Sequence, residues 1–99
     1  MSGVALRFVP AASREVEEAV DWYLERNVKA AESFVWEFER GLALIQETPR
    51  LWAKFEAGTR RYVLRRFPYS IIYREFGEDT LEIVAVAHDK RRPGYWRNR

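Results

Sequence analysis

The apolar positions of this chain begin with Val4 to Val9, a short hydrophobic stretch that stops at Pro10. It predicts a β-strand, because proline neither continues a ladder nor sits inside a helix. Ser13 is then placed to cap a helix, with Glu15, Glu17 and Glu18 in a first turn where the helix dipole favours anions. Val16, Ala19, Val20, Tyr23 and Leu24 recur at the helical period, so an amphipathic helix runs to about Asn27. The joint 27–29 is too short for another element, and a second helix follows as an antiparallel neighbour. Its apolar face is Ala31, Phe34, Val35, Phe38, Leu42 and Ile45, and Pro49 stops it. Gly41 in that interior costs about 1 kcal/mol against alanine, which signals close packing or a local bend.

Leu51 to Thr59 has no clear period and reads as a loop whose Trp52 and Phe55 pack back onto the domain. From Arg60 the period changes to two. Tyr62, Leu64 and Arg66 share one face of a strand, with Arg61, Val63 and Arg65 on the other. Phe67-Pro68 ends that run, and a second strand covers Tyr69 to Phe76. Gly77-Glu78-Asp79 is a turn, so Leu81 to Ala87 pairs back as an antiparallel hairpin strand. The fold class is therefore α+β in the order βααβββ: a small, largely antiparallel sheet with two antiparallel helices packed on one face. The opening strand is expected at a sheet edge. The last strand, the most apolar, is expected at the centre.

Ninety-nine residues make one domain with one core. With no cysteine and one histidine, the sequence offers no disulfide, thiolate or zinc chemistry, and it calls for no metal or cofactor. No apolar run is long enough to span a membrane, and no secretory leader is visible, so a soluble cytoplasmic protein with no membrane partner is expected. Charge changes the picture more. Residues 1–50 carry 6 Lys/Arg against 9 Asp/Glu, a net −3, while residues 51–99 carry 11 against 6, a net +5. His88 to Arg99 alone holds five cations against one aspartate. Such a concentration favours anionic partners through its long-range field, although a basic tail can also serve only solubility.

Four segments carry a family resemblance: Ala19 to Tyr23, Pro49 after the second helix, Phe67-Pro-Tyr-Ser-Ile-Ile-Tyr-Arg74, and His88-Asp-Lys-Arg-Arg-Pro-Gly-Tyr-Trp96. With the element order, they resemble the RelE/ParE superfamily of type II toxin–antitoxin toxins, of the plasmid-stabilisation type, over nearly the whole chain. The resemblance implies a growth-inhibiting toxin in a hetero-oligomer with a cognate antitoxin. In such families the RelE branch cleaves mRNA on the ribosome and the ParE branch poisons DNA gyrase.

A metal-free ribonuclease must deprotonate the 2′-hydroxyl, stabilise a phosphorane and protonate the 5′-oxygen. His88, Arg91 and Tyr95 are the candidate catalytic residues, imidazole being a natural acid or base near neutrality. Arg61, Arg65, Arg66, Lys90 and Arg92 are the candidate phosphate ligands. Each has a plainer role open to it. His88 ends an apolar strand where a structural hydrogen-bonding histidine is common, and the three strand arginines suit a solvent face. Trp96 suits an anchor for the terminus, whereas Tyr95 suits base stacking. Trp22 and Trp36, off the main helix stripes, suit core edges or an antitoxin surface. One departure stands out: where the resembling nucleases commonly have an arginine after the tyrosine that opens the strand, this chain has Ser70. Arg74 lies about 13 Å further along by strand rise and does not replace it. The first expectation is a ribosome-dependent mRNA endoribonuclease. The alternatives are a non-enzymatic gyrase inhibitor and a non-toxic antitoxin-binding member.

Overall fold

The computed structural model describes residues 4–99. Its strands are β1 (Ala5–Phe8), β2 (Ala53–Lys54), β3 (Arg60–Val63), β4 (Tyr69–Glu75) and β5 (Thr80–His88). Its helices are α1 (Pro10–Leu24) and α2 (Val28–Glu47). One sheet takes the order β1-β5-β4-β3-β2. β1 lies parallel to β5 at one edge and every other pairing is antiparallel. The expected α+β fold with an edge first strand is thus observed, and the last strand is interior, flanked by β1 and β4, although the middle strand of the five is β4.

The local starts and stops refine the sequence reading. Helix α1 begins at Pro10, with Val9 in extended backbone at its N-cap and no side-chain cap. Proline suits the first helical position, since its missing N–H is one the helix leaves unpaired anyway. Ser13 therefore lies inside the helix, and the glutamates fall beyond its first turn. Asn27 caps α2, its side chain accepting from the Ala30 N–H at 3.2 Å. The expected loop over Leu51 to Thr59 contains the two-residue β2 and a 3₁₀ turn at Glu56–Gly58. Strand β3 stops at Val63 rather than at Arg66, because residues 65–68 bend away.

Two cores lie on opposite faces of the sheet. On one, Ala12, Ala19, Phe34, Phe38 and Ile45 of the helices meet Tyr62, Ile71, Tyr73, Leu81, Ile83 and Val86. On the other, Ile72, Val84 and Ala85 meet Trp96, with Phe55 and Tyr95 alongside. A register shift lies at Ile72/Tyr73, whose partners are Ala85 and Ile83, leaving Val84 as the extra residue. That bulge lets Val84 and Ala85 both join the second core. Trp96 is 2% exposed, so the C-terminal segment is the cover of this face.

Gly41 explains its place in α2. A Cβ built there would lie 2.9 Å from Tyr62 Cε1 and 3.2 Å from Ile71 Cδ1. The helix crosses the sheet closely enough that only glycine fits without displacement. No helix among the described residues is long and apolar enough to cross a membrane.

Candidate functional site

Strand β5 delivers His88 to the end of the sheet opposite Tyr69, and the chain then leaves in a run of tight turns. The N–H of Arg91 donates to the His88 carbonyl, Tyr95 N–H to Arg92, Arg97 N–H to Gly94 and Arg99 N–H to Trp96. Gly94 makes the return possible with a φ of 76°. This coil carries Tyr95 and Trp96 back onto the sheet and leaves residues 90–92 exposed at its outer end.

A groove of about 310 Å³ opens between the coil and the sheet. Arg61, His88, Arg91, Arg92 and Tyr95 line it, with Phe55 and Trp96 on its apolar side. Five of the eight residues singled out from sequence are thereby brought together. Ser70 lines the same groove, buried between Val63 and Ala87 in the ladder. Arg91 stacks over the Tyr95 ring at 3.8 Å and Arg61 over the Phe55 ring at 4.5 Å. Among the described residues Arg61, Lys90, Arg91 and Arg92 form no ion pair with a carboxylate. Their charge is therefore left to the solvent or to a partner.

The remaining three candidates stand apart. Arg65 and Arg66 sit across the sheet beside Glu37, a buried α2 carboxylate. Its Oε2 accepts from both backbone N–H groups, and Oε1 accepts from Arg66 Nε at 3.2 Å. The arginine pair is thus part of a turn that Glu37 caps. Lys90 is exposed, and its backbone N–H donates to His88 Nδ1 at 3.0 Å. In a neutral imidazole that bond places the ring proton on Nε2.

Tyr95 is held more firmly than the sequence suggests. Its hydroxyl donates to Glu15 Oε2 at 2.6 Å. Burial, and then the bond to Glu15, push the phenol well above its ordinary value, against the lowering effect of Arg99 and Arg91. The group stays protonated at neutral pH and its proton is directed away from the groove. Glu15 itself was legible only as a first-turn acid. The signal available was its position, three residues after Ala12 and four before Ala19, on the apolar stripe of the helix.

No group of three or more His, Cys, Asp or Glu among the described residues is placed to hold a metal ion. What the geometry offers is an apolar-floored groove with cationic walls, able to take an anionic segment bearing an apolar or aromatic group.

Comparison with known proteins agrees with the element order. The family model described as ParE toxin of type II toxin-antitoxin system, parDE, matches residues 6–93. A solved structure described as the chromosomal ParDE TA system from P. aeruginosa superposes with a TM-score of 0.74 at 18% identity. That match covers 89% of this chain and 98% of the other. No curated protein matches the chain.

Proposed function

The chain belongs to the ParE toxin family of type II toxin–antitoxin systems, and from that premise we propose that it arrests growth by binding its target rather than by cutting RNA. DNA gyrase is the target implied by the ParE resemblance, and a cognate antitoxin is the neutralising partner. The observation that carries this reading is the division of labour at the C-terminal groove. Arg61, Arg91 and Arg92 present unpaired charge, while the one phenol beside them is spent on Glu15. Unpaired cations around an apolar floor suit recognition of an anionic partner surface. A protonated phenol aimed into a buried carboxylate suits anchoring better than proton transfer.

One observation favours the nuclease as the second reading: His88 lines the same groove as the three arginines. The two readings separate in one experiment. Induced without antitoxin, the wild-type chain arrests growth with double-strand DNA breaks, an SOS response and intact mRNA. The purified chain inhibits gyrase, and the paired substitution Arg91→Ala with Arg92→Ala removes both effects. Codon-phased mRNA cuts that disappear with His88→Ala overturn the binding reading.

A further inference from the structure

Strand β1 ends at Phe8, and Val9 N–H makes its last bond to β5, at the Ile83 carbonyl. Beyond that point the β5 edge has backbone groups and no strand to meet them, a state that buried backbone rarely tolerates. Two side chains take the place of the strand. Glu15 Oε1 accepts from Val86 N–H at 2.9 Å, and Arg99 Nη1 donates to the Val84 carbonyl at 3.2 Å. The same two residues pair with each other through the two terminal guanidinium nitrogens, Nη1 donating to Oε1 at 2.9 Å and Nη2 to Oε2 at 3.0 Å.

With the Tyr95 hydroxyl added, one carboxylate receives four donors: Val86 N–H, Tyr95 Oη–H, Arg99 Nη1 and Arg99 Nη2. Four is about the number of acceptor sites a carboxylate has. Glu15 is therefore saturated by its own chain and free for neither catalysis nor metal binding. Two of its three partner residues belong to the C-terminal coil. Arg74 Nη2 adds to the hold by donating to the Arg99 carbonyl at 2.9 Å. At the outer end, Arg91 rests on the ring that Glu15 fixes.

We propose that Glu15 is the positioning residue of the target-binding face: it locks the C-terminal coil to α1 and β5 through Tyr95 and Arg99, and so sets where Arg91 and Arg92 meet the target. The inference rests on the binding reading above. It treats Glu15 as acting only through the coil, whereas Arg91 and Arg92 touch the target.

The test uses the full chain, induced without antitoxin and scored by the inducer dose that halves colony formation. Glu15→Gln keeps the shape and an acceptor for Val86 but removes the charge that holds Arg99. It is expected to raise the required dose about tenfold while the far-ultraviolet circular dichroism stays unchanged. Arg99→Gln attacks the same lock from the coil side and serves where Glu15→Gln does not fold. The double variant is expected to be no weaker than the weaker single, because both remove one latch. The second readout is alkaline titration of the tyrosines against a Tyr95→Phe reference: a purely structural role would release the buried tyrosines together, whereas loss of the lock releases Tyr95 alone. There, Tyr95 ionises earlier in Glu15→Gln and stays masked in Arg91→Ala, although both lose potency. Folded Arg99→Gln protein with full potency overturns the positioning role. If the paired Arg91→Ala and Arg92→Ala substitution keeps full potency, or the wild-type chain arrests nothing, the binding reading falls and the positioning role falls with it.

Discussion

Replacing Gly41 with alanine puts two sizeable effects in opposition, and the structure decides between them. Alanine in a helix interior gains about 1 kcal/mol over glycine. Against this, the new methyl would lie 2.9 Å from Tyr62 Cε1 and 3.2 Å from both Tyr62 Cδ1 and Ile71 Cδ1. Relief requires the Tyr62 ring to move, and that ring is not free. It is 8% exposed and meets the Trp52 indole edge-on, with centroids 4.8 Å apart. Ile71, wholly buried in β4, cannot give way either. Overpacking of this kind costs about 1–3 kcal/mol. The net expectation is a loss of roughly 0–2 kcal/mol, or up to about 16 °C at 4–8 °C per kcal/mol for a domain of this size.

Urea unfolding with a constant slope measures the change, and a double-mutant cycle assigns it. Tyr62→Val removes the obstructing ring atoms. In that background Gly41→Ala should lose its penalty and recover part of its propensity gain. The expected coupling between the two sites is about 1–3 kcal/mol. If Gly41→Ala alone raises the midpoint, or if the two changes add to within about 0.5 kcal/mol, the close approach of α2 to the sheet is not what selects glycine.

Asn27→Ala removes the α2 cap and should cost about 1 kcal/mol, a fall of roughly 4–8 °C in a thermal melt, whereas Asn27→Gly should cost a few tenths. Burial lifts the Tyr73 phenol to about 12, and Tyr95 is lifted as well. Both gain stability from the protonated form, so that contribution is whole below about pH 10 and is lost as pH rises through the folded values. Chemical denaturation across pH 8–12 should show this alkaline decline, made shallower in Tyr73→Phe, and a flat profile above pH 10 would contradict it. Glu37→Ala should cost roughly 1.5–3 kcal/mol through its charged hydrogen bonds. It should also speed hydrogen exchange at the Arg65 and Arg66 amides while that of Ile71 stays protected. Inhibition of the target should weaken as salt rises, since unpaired surface cations act over about one Debye length; a salt-independent potency would remove electrostatics from the recognition.

Sequence periodicity was sufficient wherever an element buries a single stripe. The two helices have that property; the hairpin strands β4 and β5 are buried on both faces and are legible instead as unbroken runs of branched apolar residues, and Gly41 announced its close contact through its cost alone. The start of α1 was misread because Ser13 is a good cap and Pro10 is a better first residue, and period gives no means of ranking them. The second core was harder to see. Leu51 to Thr59 and residues 89–99 have no period, yet Phe55 and Trp96 meet at 6.0 Å on the far face of the sheet. Pairings between segments so distant in sequence leave no local trace. The two carboxylates that organise the strand ends did leave one. Glu15 lies on the stripe of Ala12, Val16 and Ala19, and Glu37 on that of Phe34, Phe38 and Gly41. A charge on an apolar face needs a partner indoors, and in both cases the partners include backbone N–H groups that no strand meets, that of Val86 in β5 past the end of β1 and those of Arg65 and Arg66 past the end of β3, with an arginine alongside.

The five cations of residues 88–99 are one basic run in the sequence and two separate populations in space. Arg97 pairs with Glu56 and Arg99 with Glu15, each a carboxylate from a distant element. These two cations are neutralised in place, and removing either would leave a partly buried acid without its counter-charge. Lys90, Arg91 and Arg92 form no such pair among the described residues, and Asp89 is the one acid within their segment. Composition alone weighs all five equally as anion-binding charge. The pairing shows that the inner cations attach the coil and the outer ones are displayed by it. The two groups depend on each other through one ring: Tyr95 donates its hydroxyl inward to Glu15 and offers its face outward to Arg91. A side chain with a polar tip and an apolar face can serve both ends at once, which is a physical reason for tyrosine, rather than phenylalanine or histidine, at the hinge between anchor and display.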